Sequence, residues 1–432
     1  MHYYSLNNAS VRADFREATL LGQAPDKGLY FPEFLPVLPE GFIGQLGSMS
    51  DAEIAYTVIR PYVGDAIPDA ALLDIVEETV NFPIPLVRIN ENCFSLELFH
   101  GPTLAFKDIG ARFMSRCLGH FVNSRQQKIT VLVATSGDTG GAVADGFFGV
   151  EGVEVVILYP SGKVSSVQEQ QLTTLGKNIR ALEVEGTFDD CQQMVKTAFL
   201  DKELGGALTL TSANSINVAR WLPQQFYYFF ALKQWPHDSP PVISVPSGNF
   251  GNICAGLLAH LTGLPVRHFI AACNANEVVP EFMQSGTYVP RKALPTISNA
   301  MDVGDPSNFI RILELFGHRF IDLKNKLDSI SVSDEQTRQT LLQVYRNCHY
   351  LLDPHGAVGY FALERHLENH PGDKGIVLET AHPVKFYDVV EPLIGSAVPV
   401  PDRISAILAH EKKSVKIPAA FSYLKDYLLS SL

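Results

Sequence analysis

The strongest constraint on the fold is a unit that recurs along the chain: a short apolar run, a glycine-rich turn and a helical pattern. The apolar runs occupy residues 129–134, 153–159, 242–245 and 376–378. Strands that are apolar at every position are typical of a parallel sheet covered by helices on both faces. Ligands of such sheets bind at the carboxyl ends of the strands, which is where these turns lie. The sequence therefore predicts an α/β protein whose binding site is built from the turns.

Length and composition limit the classes of protein that fit. The 432 residues exceed one ordinary core and indicate two or three domains, and 46% apolar with 19% charged residues is typical of a well-packed globular chain. Lys and Arg total 34 against 46 Asp and Glu, a net charge of −12 that argues against nucleic acid or an anionic membrane as a partner. A small anionic substrate needs only a local cluster of donors.

The cysteines and the N-terminus indicate the compartment. The six cysteines show no CxxC pair and no zinc-like spacing, so we expect reduced thiols and predict no metal at the site. The first residues lack the basic head and apolar core of a signal peptide, and no apolar stretch is long enough to span a bilayer. We therefore expect a cytoplasmic protein.

Two regions outside the repeated unit have a character of their own. Residues 1–85 are turn-rich and then helical, without a strand–glycine–helix unit, and we interpret them as an N-terminal subdomain. Residues 187–200 have an amphipathic pattern that opens with the capping-box spacing of Thr187 and Asp190, which predicts a helix.

The segment HGPTLAFKD, residues 100–108, places Lys107 between an apolar run and an acid. Partial desolvation lowers the pKa of a lysine toward that of a neutral amine, the form that Schiff-base chemistry requires. Most lysines lie at the surface with only the stem covered, and this segment alone favours that ordinary interpretation. Two loops downstream change this and favour the Schiff-base role for Lys107.

The loop SGNFGN, residues 247–252, follows a strand and opens a helix. Its glycines let several N–H groups point at one anion, and the helix dipole adds partial positive charge, so the loop can form a phosphate cup. It lacks the Lys-Ser/Thr of a nucleoside-triphosphate loop and the GxGxxG spacing of a dinucleotide site. The alternative is a tight turn whose glycines serve packing; phosphate binding is favoured.

The loop TSGDTGGA, residues 135–142, is a second strand-to-helix turn. It carries hydroxyl groups on Thr135, Ser136 and Thr139, and hydroxyls beside free N–H groups suit a carboxylate. The alternative is an ordinary helix cap.

The segment NSINVAR, residues 214–220, gathers neutral and charged donors. Arg220 can grip an anion in bidentate fashion while Asn214 and Ser215 donate to it. A capped helix with a surface arginine is an equal alternative for this segment alone. A desolvated lysine, a phosphate cup, a carboxylate-suited loop and an anion clamp together indicate a pyridoxal phosphate enzyme acting on a phosphorylated amino acid.

A family resemblance rests on longer strings. HGPTLAFKD, TSGDTG, SANSIN, VPSGNFGN, SNAMDVGDPSN and TAHPVKF resemble threonine synthase motifs in this order, and YYSLN and APDKGLYFPE extend the resemblance over nearly the whole chain. The form resembled is the longer bacterial and fungal one, of fold type II (tryptophan synthase β-like). That fold implies two open, twisted, mostly parallel sheets with helices on both faces. It also implies a large cofactor-binding domain of residues 86–120 and 225–432 and a small α/β domain of residues 121–224.

The resemblance implies a set of residues for the cofactor, pyridoxal 5′-phosphate. Lys107 would hold it as a Schiff base and move protons, and Thr380 would donate a neutral hydrogen bond at the pyridine nitrogen. Asp138 would contact the phenolic oxygen, although many relatives have Asn there, and Glu379 stands where Gly or Ser is expected. The residues expected to cup the cofactor phosphate are Gly248, Asn249, Phe250, Gly251 and Asn252.

The resemblance also implies the substrate and its contacts. O-phospho-L-homoserine and water would give L-threonine and inorganic phosphate by γ-elimination and β-addition of water. The substrate-binding residues would be Thr135, Ser136 and Thr139 for the carboxylate, and Asn214, Ser215 and Arg220 for the phosphate. The sequence-based alternative is a related phospho-lyase or dehydratase giving a 2-oxo acid; a non-catalytic relative is disfavoured because Lys107 and the cup are intact. We expect a monomer or homodimer.

Overall fold

A computed structural model describes residues 1–123 and 128–431, and three β-sheets form its frame. In chain order the strands of this described part are β1 (His2–Ser5), β2 (Arg12–Asp14), β3 (Tyr30–Pro32), β4 (Leu86–Arg88), β5 (Cys93–Glu97), β6 (Ile129–Ala134), β7 (Val153–Pro160), β8 (Ile179–Glu185), β9 (Leu210–Ser212), β10 (Val242–Pro246), β11 (His268–Cys273), β12 (Leu327–Ser331), β13 (Gly375–Glu379) and β14 (Val415–Pro418).

Helices occupy most of the intervening chain. The α-helices are α1 (Phe15–Leu21), α2 (Phe42–Gln45), α3 (Asp51–Val63), α4 (Asp69–Thr79), α5 (Lys107–Asn123), α6 (Asp138–Phe147), α7 (Ser166–Thr173), α8 (Phe188–Leu200), α9 (Lys202–Ala207), α10 (Val218–Trp221), α11 (Phe226–Gln234), α12 (Gly251–Leu261), α13 (Val278–Ser285), α14 (Phe309–Leu315), α15 (Phe320–Lys324), α16 (Asp334–Cys348), α17 (Pro354–Asn369), α18 (Tyr387–Ile394), α19 (Asp402–Leu408) and α20 (Phe421–Ser431). Short 3-10 helices lie at Leu46–Ser48, Gly64–Ala66, Leu222–Gln225, Asn299–Met301 and Pro383–Phe386.

The largest sheet has six strands in the order β12-β11-β10-β13-β5-β4. Every neighbouring pair is parallel except β4 with β5 at one edge. Each residue of β10 and β13 is buried, and successive side chains enter different hydrophobic clusters: Ile376 and Leu378 face one, Val377 the other. Helices cover both faces, which is why these strands are apolar at every position.

The second sheet has five parallel strands in the order β14-β8-β7-β6-β9. Its outermost strand, β14, comes from the C-terminal part of the chain, although the division drawn from the sequence placed residues 225–432 in the large domain. The pairing buries Ile417 beside Leu424 and Leu428 of α20, in one cluster with Leu182 of β8. The domain boundaries remain a prediction, and we add β14 and α20 to the smaller unit.

The N-terminal region carries the small antiparallel sheet β2-β1-β3 and helices α1–α4. Tyr3 of β1 is fully buried and donates its hydroxyl to the carbonyl of Tyr62 in α3, at 2.7 Å. The predicted helix at residues 187–200 is confirmed by α8, where Thr187 and Asp190 cap each other's backbone N–H groups. In the described residues no helix combines the length and apolarity needed to cross a bilayer.

Candidate active site

The end of strand β13 positions Lys107, the first residue of α5. Ala105 forms an antiparallel bridge with Ala381, and the N–H of Phe106 donates to the carbonyl of Thr380 at 2.9 Å. Because these contacts fasten the turn before α5 to the residues after β13, Lys107 and Thr380 meet at the carboxyl edge of the large sheet. Thr380 itself is buried.

The surroundings of Lys107 favour its neutral form. Its side chain is 18% exposed, and burial lowers its pKa, an effect to which the cations of Lys385 and Arg220 add and which Asp138 opposes. A neutral amine is the form that attacks a carbonyl or removes a proton. This structural environment agrees with the role expected of Lys107.

Asp138, the first residue of α6, stands as a buried carboxylate between two ammonium groups. Its Oδ1 accepts hydrogen bonds from Lys385 Nζ at 2.8 Å and Gln168 Nε2 at 2.9 Å, and its Oδ2 lies 3.8 Å from Lys107 Nζ. Burial by itself raises the pKa of this carboxyl, but the cations of Lys385 and Lys107 and the Gln168 hydrogen bond hold it well below its usual value. Asp138 is therefore ionised.

The loop before α6 is shaped by Thr135. Its hydroxyl oxygen accepts the N–H groups of Gly137 and Gly140, both at 2.9 Å. Ser136 and Thr139 are partly exposed on the same turn, where a ligand can reach their hydroxyls. Thr135 thus organises the loop, while the other two predicted contacts face the accessible side.

The phosphate cup predicted at residues 247–252 lies at the start of α12. Phe250 precedes the helix in the left-handed conformation, with φ of 60°, and no side chain caps the first turn, which begins at Gly251. A Cβ on Gly248 would lie 2.6 Å from Met301 Cα, so the close approach of this backbone requires glycine. An uncapped helix N-terminus behind a glycine turn is a suitable anion site.

The side chains of the cup have structural partners of their own. Asn249 donates from Nδ2 to Ser215 Oγ at 2.7 Å and accepts the N–H of Ser307 at 2.7 Å. The ring of Phe250 packs on Phe309, with 5.6 Å between centroids. These side-chain contacts hold the shape of the turn before α12.

Ser215 lies at the rim of this cup. Its hydroxyl accepts from Asn308 Nδ2 at 3.1 Å as well as from Asn249, and Asn308 Oδ1 in turn accepts from Arg311 at 2.7 Å. Arg311 is fully buried and also donates to the carbonyl of Ile216 at 2.7 Å. The structure therefore joins Ser215 to the cup through a hydrogen-bond network. Arg311 is part of that network, and sequence reasoning did not identify it.

Arg220 is a buried cation without a hydrogen-bonding partner for much of its head group. It is 3% exposed, and among the described residues neither its Nε nor its Nη1 has a hydrogen-bond partner; burial lowers its pKa to about 10. The donor Asn252 Nδ2 is likewise buried without a partner in the described part of the chain; the acceptor Asn214 Oδ1 is too, but it needs a donor and not an anion. Unsatisfied buried polar groups are costly, so an arrangement of this kind is typical of a site that an anionic ligand completes.

Comparisons with known proteins decide the family. Family models match consecutive parts of the chain: "Threonine synthase N terminus" residues 2–80, "Pyridoxal-phosphate dependent enzyme" residues 79–379 and "Threonine synthase, C-terminal" residues 356–428. The threonine synthase of Serratia marcescens is 43% identical over 431 residues, 99% of each chain. The chain belongs to the threonine synthase family.

Two solved structures of threonine synthases agree with this assignment. That from Escherichia coli matches with a TM-score of 0.94 at 42% identity over 100% of both chains. That from Brucella melitensis, described as PLP-bound, matches with a TM-score of 0.92 at 35% identity over 99% of this chain and 98% of the other. The predicted fold type II and the predicted cofactor are confirmed: this member of the threonine synthase family is a pyridoxal phosphate-dependent lyase.

Sequence reasoning missed Lys385, a fully buried cation near Lys107. It is fully buried, and besides Asp138 its Nζ donates to the carbonyl of Thr103 at 2.9 Å. Lys385 belongs to the motif TAHPVKF, five residues after Thr380, so its membership in a motif already assigned to the site was the available signal.

Glu379, the unexpected acid before Thr380, points to the N-terminus of α17. Its Oε1 accepts the N–H of Asp353 at 2.6 Å, and a Cβ on Gly356 would lie 1.5 Å from its Oε2. Burial and the neighbouring carboxylate of Asp353 raise the pKa of Glu379 well above its usual value. In this family member, then, the acid occupies a niche that Gly356 leaves open at the start of α17.

Proposed function

We propose that this chain converts O-phospho-L-homoserine and water to L-threonine and inorganic phosphate at the site around Lys107. The observation that carries the proposal is the buried guanidinium of Arg220, whose Nε and Nη1 have no hydrogen-bond partner among the described residues, in addition to the cup at the start of α12. One cup suffices for the cofactor phosphate, whereas a substrate that carries its own phosphate needs a second anion site. This favours a phosphorylated substrate over free serine or threonine.

The residues present fit pyridoxal phosphate. We assign Lys107 as its attachment point, the backbone from Gly248 to Asn252 as the cup for its phosphate, Thr380 as a neutral donor at its ring nitrogen, and Asp138 as the group beside its phenolic oxygen. The uncapped helix start and the glycine at 248 support the cup. When bound, the cofactor supplies an electron sink for negative charge that develops at the substrate.

The chain's own groups then account for binding and proton transfer. Lys107, whose pKa is lowered by burial, takes the α-proton of the substrate and returns protons later. We assign the accessible hydroxyls of Ser136 and Thr139, with the loop that Thr135 shapes, to the substrate carboxylate. Arg220 and Asn214 would hold the substrate phosphate and stabilise its charge as it leaves, while Ser215 positions the cup.

Product analysis tests this proposal. The purified protein, reconstituted with pyridoxal phosphate, is incubated with O-phospho-L-homoserine beside two variants, Lys107→Ala and Lys196→Ala. Lys196 is exposed on α8 and serves as the matched control. We expect equal amounts of threonine and phosphate, lost only with Lys107→Ala. Phosphate with 2-oxobutyrate would move the protein to the phospho-lyases, and no product at all would refute the substrate assignment.

We further propose, from the sequence, that the enzyme works in the cytoplasm as a monomer or homodimer. Sedimentation equilibrium of the holoenzyme gives its mass directly, and a trimer or larger assembly would contradict the proposal. Fractionation of the source cells tests the location.

A further inference from the structure

A group of possible metal ligands lies on the large sheet at the edge opposite the candidate active site. His268 is the first residue of β11, and Asp328 is the second of β12. The parallel register pairs Asp328 with Ile270, two residues after His268. Since alternate residues of a strand share a face, the side chains of His268 and Asp328 lie on the same face of the sheet.

Helix α17 brings a third ligand to that face. Leu363 of α17 and Ile270 of β11 belong to the same buried cluster, so the helix covers this side of the sheet. His366 follows Leu363 by three residues and therefore projects on the same side of the helix. One ligand atom from each of His268, Asp328 and His366 lies within 4.8 Å of the other two.

The donor atoms are available to an ion. His268 Nε2 is buried, and Asp328 Oδ2 lies 3.1 Å from it. His366 Nε2 lies 3.4 Å from Asp373 Oδ2, and Asp373 is itself held by Arg267 at 2.7 Å. A carboxylate on one imidazole nitrogen fixes the tautomer and orients the ring, which is the usual support of a histidine that binds metal through its other nitrogen.

The imidazole rings of this group pack on one another near the end of a helix. The rings of His268 and His366 stack at 5.5 Å, and those of His366 and His370 at 4.1 Å. The site also lies at the last turn of α17, where the helix dipole is negative.

We propose that His268, Asp328 and His366 bind one divalent transition-metal ion of the zinc class. Two imidazoles and a carboxylate are the donor set that zinc, cobalt and nickel accept, whereas magnesium and calcium prefer oxygen alone. The ion would join β11, β12 and α17, three elements that are distant in sequence. It would therefore stabilise the folded chain at the amino ends of the strands without taking part in the chemistry at their carboxyl ends.

Zinc titration of the holoenzyme tests the proposal. Protein freed of metal with EDTA is titrated with zinc chloride by calorimetry, and cobalt chloride provides an absorption spectrum that reports nitrogen ligands. We expect one ion per chain and a rise in the melting temperature on binding. Asp373→Asn should weaken binding about tenfold, as loss of a supporting carboxylate does, and His366→Ala or Asp328→Asn by more than about 100-fold.

Controls separate this site from general surface binding. His318, which lies 2.9 Å from Glu314, is an exposed histidine–carboxylate pair, and His318→Gln should leave zinc affinity unchanged. The conservative His268→Gln keeps the packing at the sheet, and its melting temperature in EDTA should equal that of the parent protein. Absence of saturable binding, or one-to-one binding that survives both His366→Ala and Asp328→Asn, would overturn the proposal. Threonine formation should be the same with zinc and with EDTA, which keeps this test independent of the proposed function.

Discussion

Lys385 and Asp138 form a buried ion pair, with 2.8 Å between Nζ and Oδ1, at the position where Lys107 approaches the other carboxylate oxygen. One negative charge therefore faces two amines. Since Lys385 already neutralises Asp138, a proton on Lys107 would add an uncompensated charge to a buried pocket. Burial is the main cause of the lowered pKa of Lys107, and the cation of Lys385 adds to it.

Replacing Lys385 should make Lys107 more basic. In Lys385→Met the carboxylate of Asp138 keeps Lys107 as its only cation, so the pKa of Lys107 should rise. Loss of Lys385 should also lower the free energy of unfolding, but by less than the cost of an uncompensated buried charge, about 3–5 kcal/mol, because Lys107 still faces Asp138. A pH titration of the cofactor's visible absorbance reports the pKa of the Schiff-base nitrogen that Lys107 contributes, which should rise for the same reason, and urea unfolding reports the second effect.

The double variant Lys385→Met with Asp138→Asn is the matched control. Because it removes both charges of the pair, it should recover much of the stability lost in Lys385→Met alone. A double variant as unstable as the single one, with an unchanged absorbance titration in both, would show that the pair does not act on Lys107.

Replacing Arg220 should weaken the use of the phosphorylated substrate without lowering the stability of the ligand-free protein. Its guanidinium is buried with Nε and Nη1 unpartnered among the described residues, so Arg220→Met should leave the ligand-free protein as stable as the parent or more stable. The same change should lower kcat/KM for O-phospho-L-homoserine by about 100- to 1000-fold, the usual cost of removing one preorganised charged donor. Inorganic phosphate should raise the melting temperature of the parent and not of the variant.

Arg365→Gln is the control for this experiment, because Arg365 is exposed and forms an ion pair with Glu368 at 2.9 Å within α17. Arg365→Gln should change neither the stability of the ligand-free protein nor kcat/KM. If Arg220→Met keeps full activity, the second anion site lies elsewhere.

The sequence predicted those parts of the molecule whose signal is local. The strand–turn–helix units at 129–142 and 242–261 carry their pattern within some 20 residues, and the structure forms both. Contacts between distant segments were not predictable in the same way. The sequence grouped Ser215 with Arg220. In the structure, however, its hydroxyl accepts a hydrogen bond from Asn249 at the cup, and Arg311 donates to its backbone carbonyl.

Two further gaps have the same origin. Lys385 lies 247 positions after Asp138, and the motif that contains it does not indicate which way the side chain points. Strand β14 joins the smaller sheet across more than 200 residues of intervening chain, and no feature of its four residues indicates a partner. The ligands of the proposed cation site come from three separate elements, so no spacing motif signals them.

Gly356 should be intolerant of any side chain while Glu379 is present. A Cβ there would lie 1.5 Å from Glu379 Oε2, so Gly356→Ala should lower the unfolding free energy by about 1–3 kcal/mol through overpacking. Truncating the acid in the double variant Gly356→Ala with Glu379→Ala should relieve most of that loss. Gly205→Ala is the matched control, since nothing lies within 4 Å of the Cβ that it would add in α9. Equal destabilisation of the single and double variants would contradict the steric explanation.

Glu379 should also make the protein less stable as the pH rises. Its pKa is raised in the folded chain by burial and by Asp353, whereas an unfolded glutamate titrates near 4.3. Below about pH 4 both states hold the proton, and the residue contributes no pH dependence. Above that pH the unfolded chain ionises and the folded chain does not, so the parent protein loses stability relative to Glu379→Gln, by up to about 1.4 kcal/mol per pH unit.

Urea unfolding of parent and Glu379→Gln at several pH values from 4.5 to 8 measures this difference directly. Glu151→Gln, at an exposed position, is the control and should track the parent throughout. The difference between parent and Glu379→Gln should widen as the pH rises until it passes the folded-state pKa and then become constant. A difference that is constant over the whole range, or that narrows with rising pH, would mean that Glu379 is ionised in the folded chain and that the niche at α17 stabilises its charge.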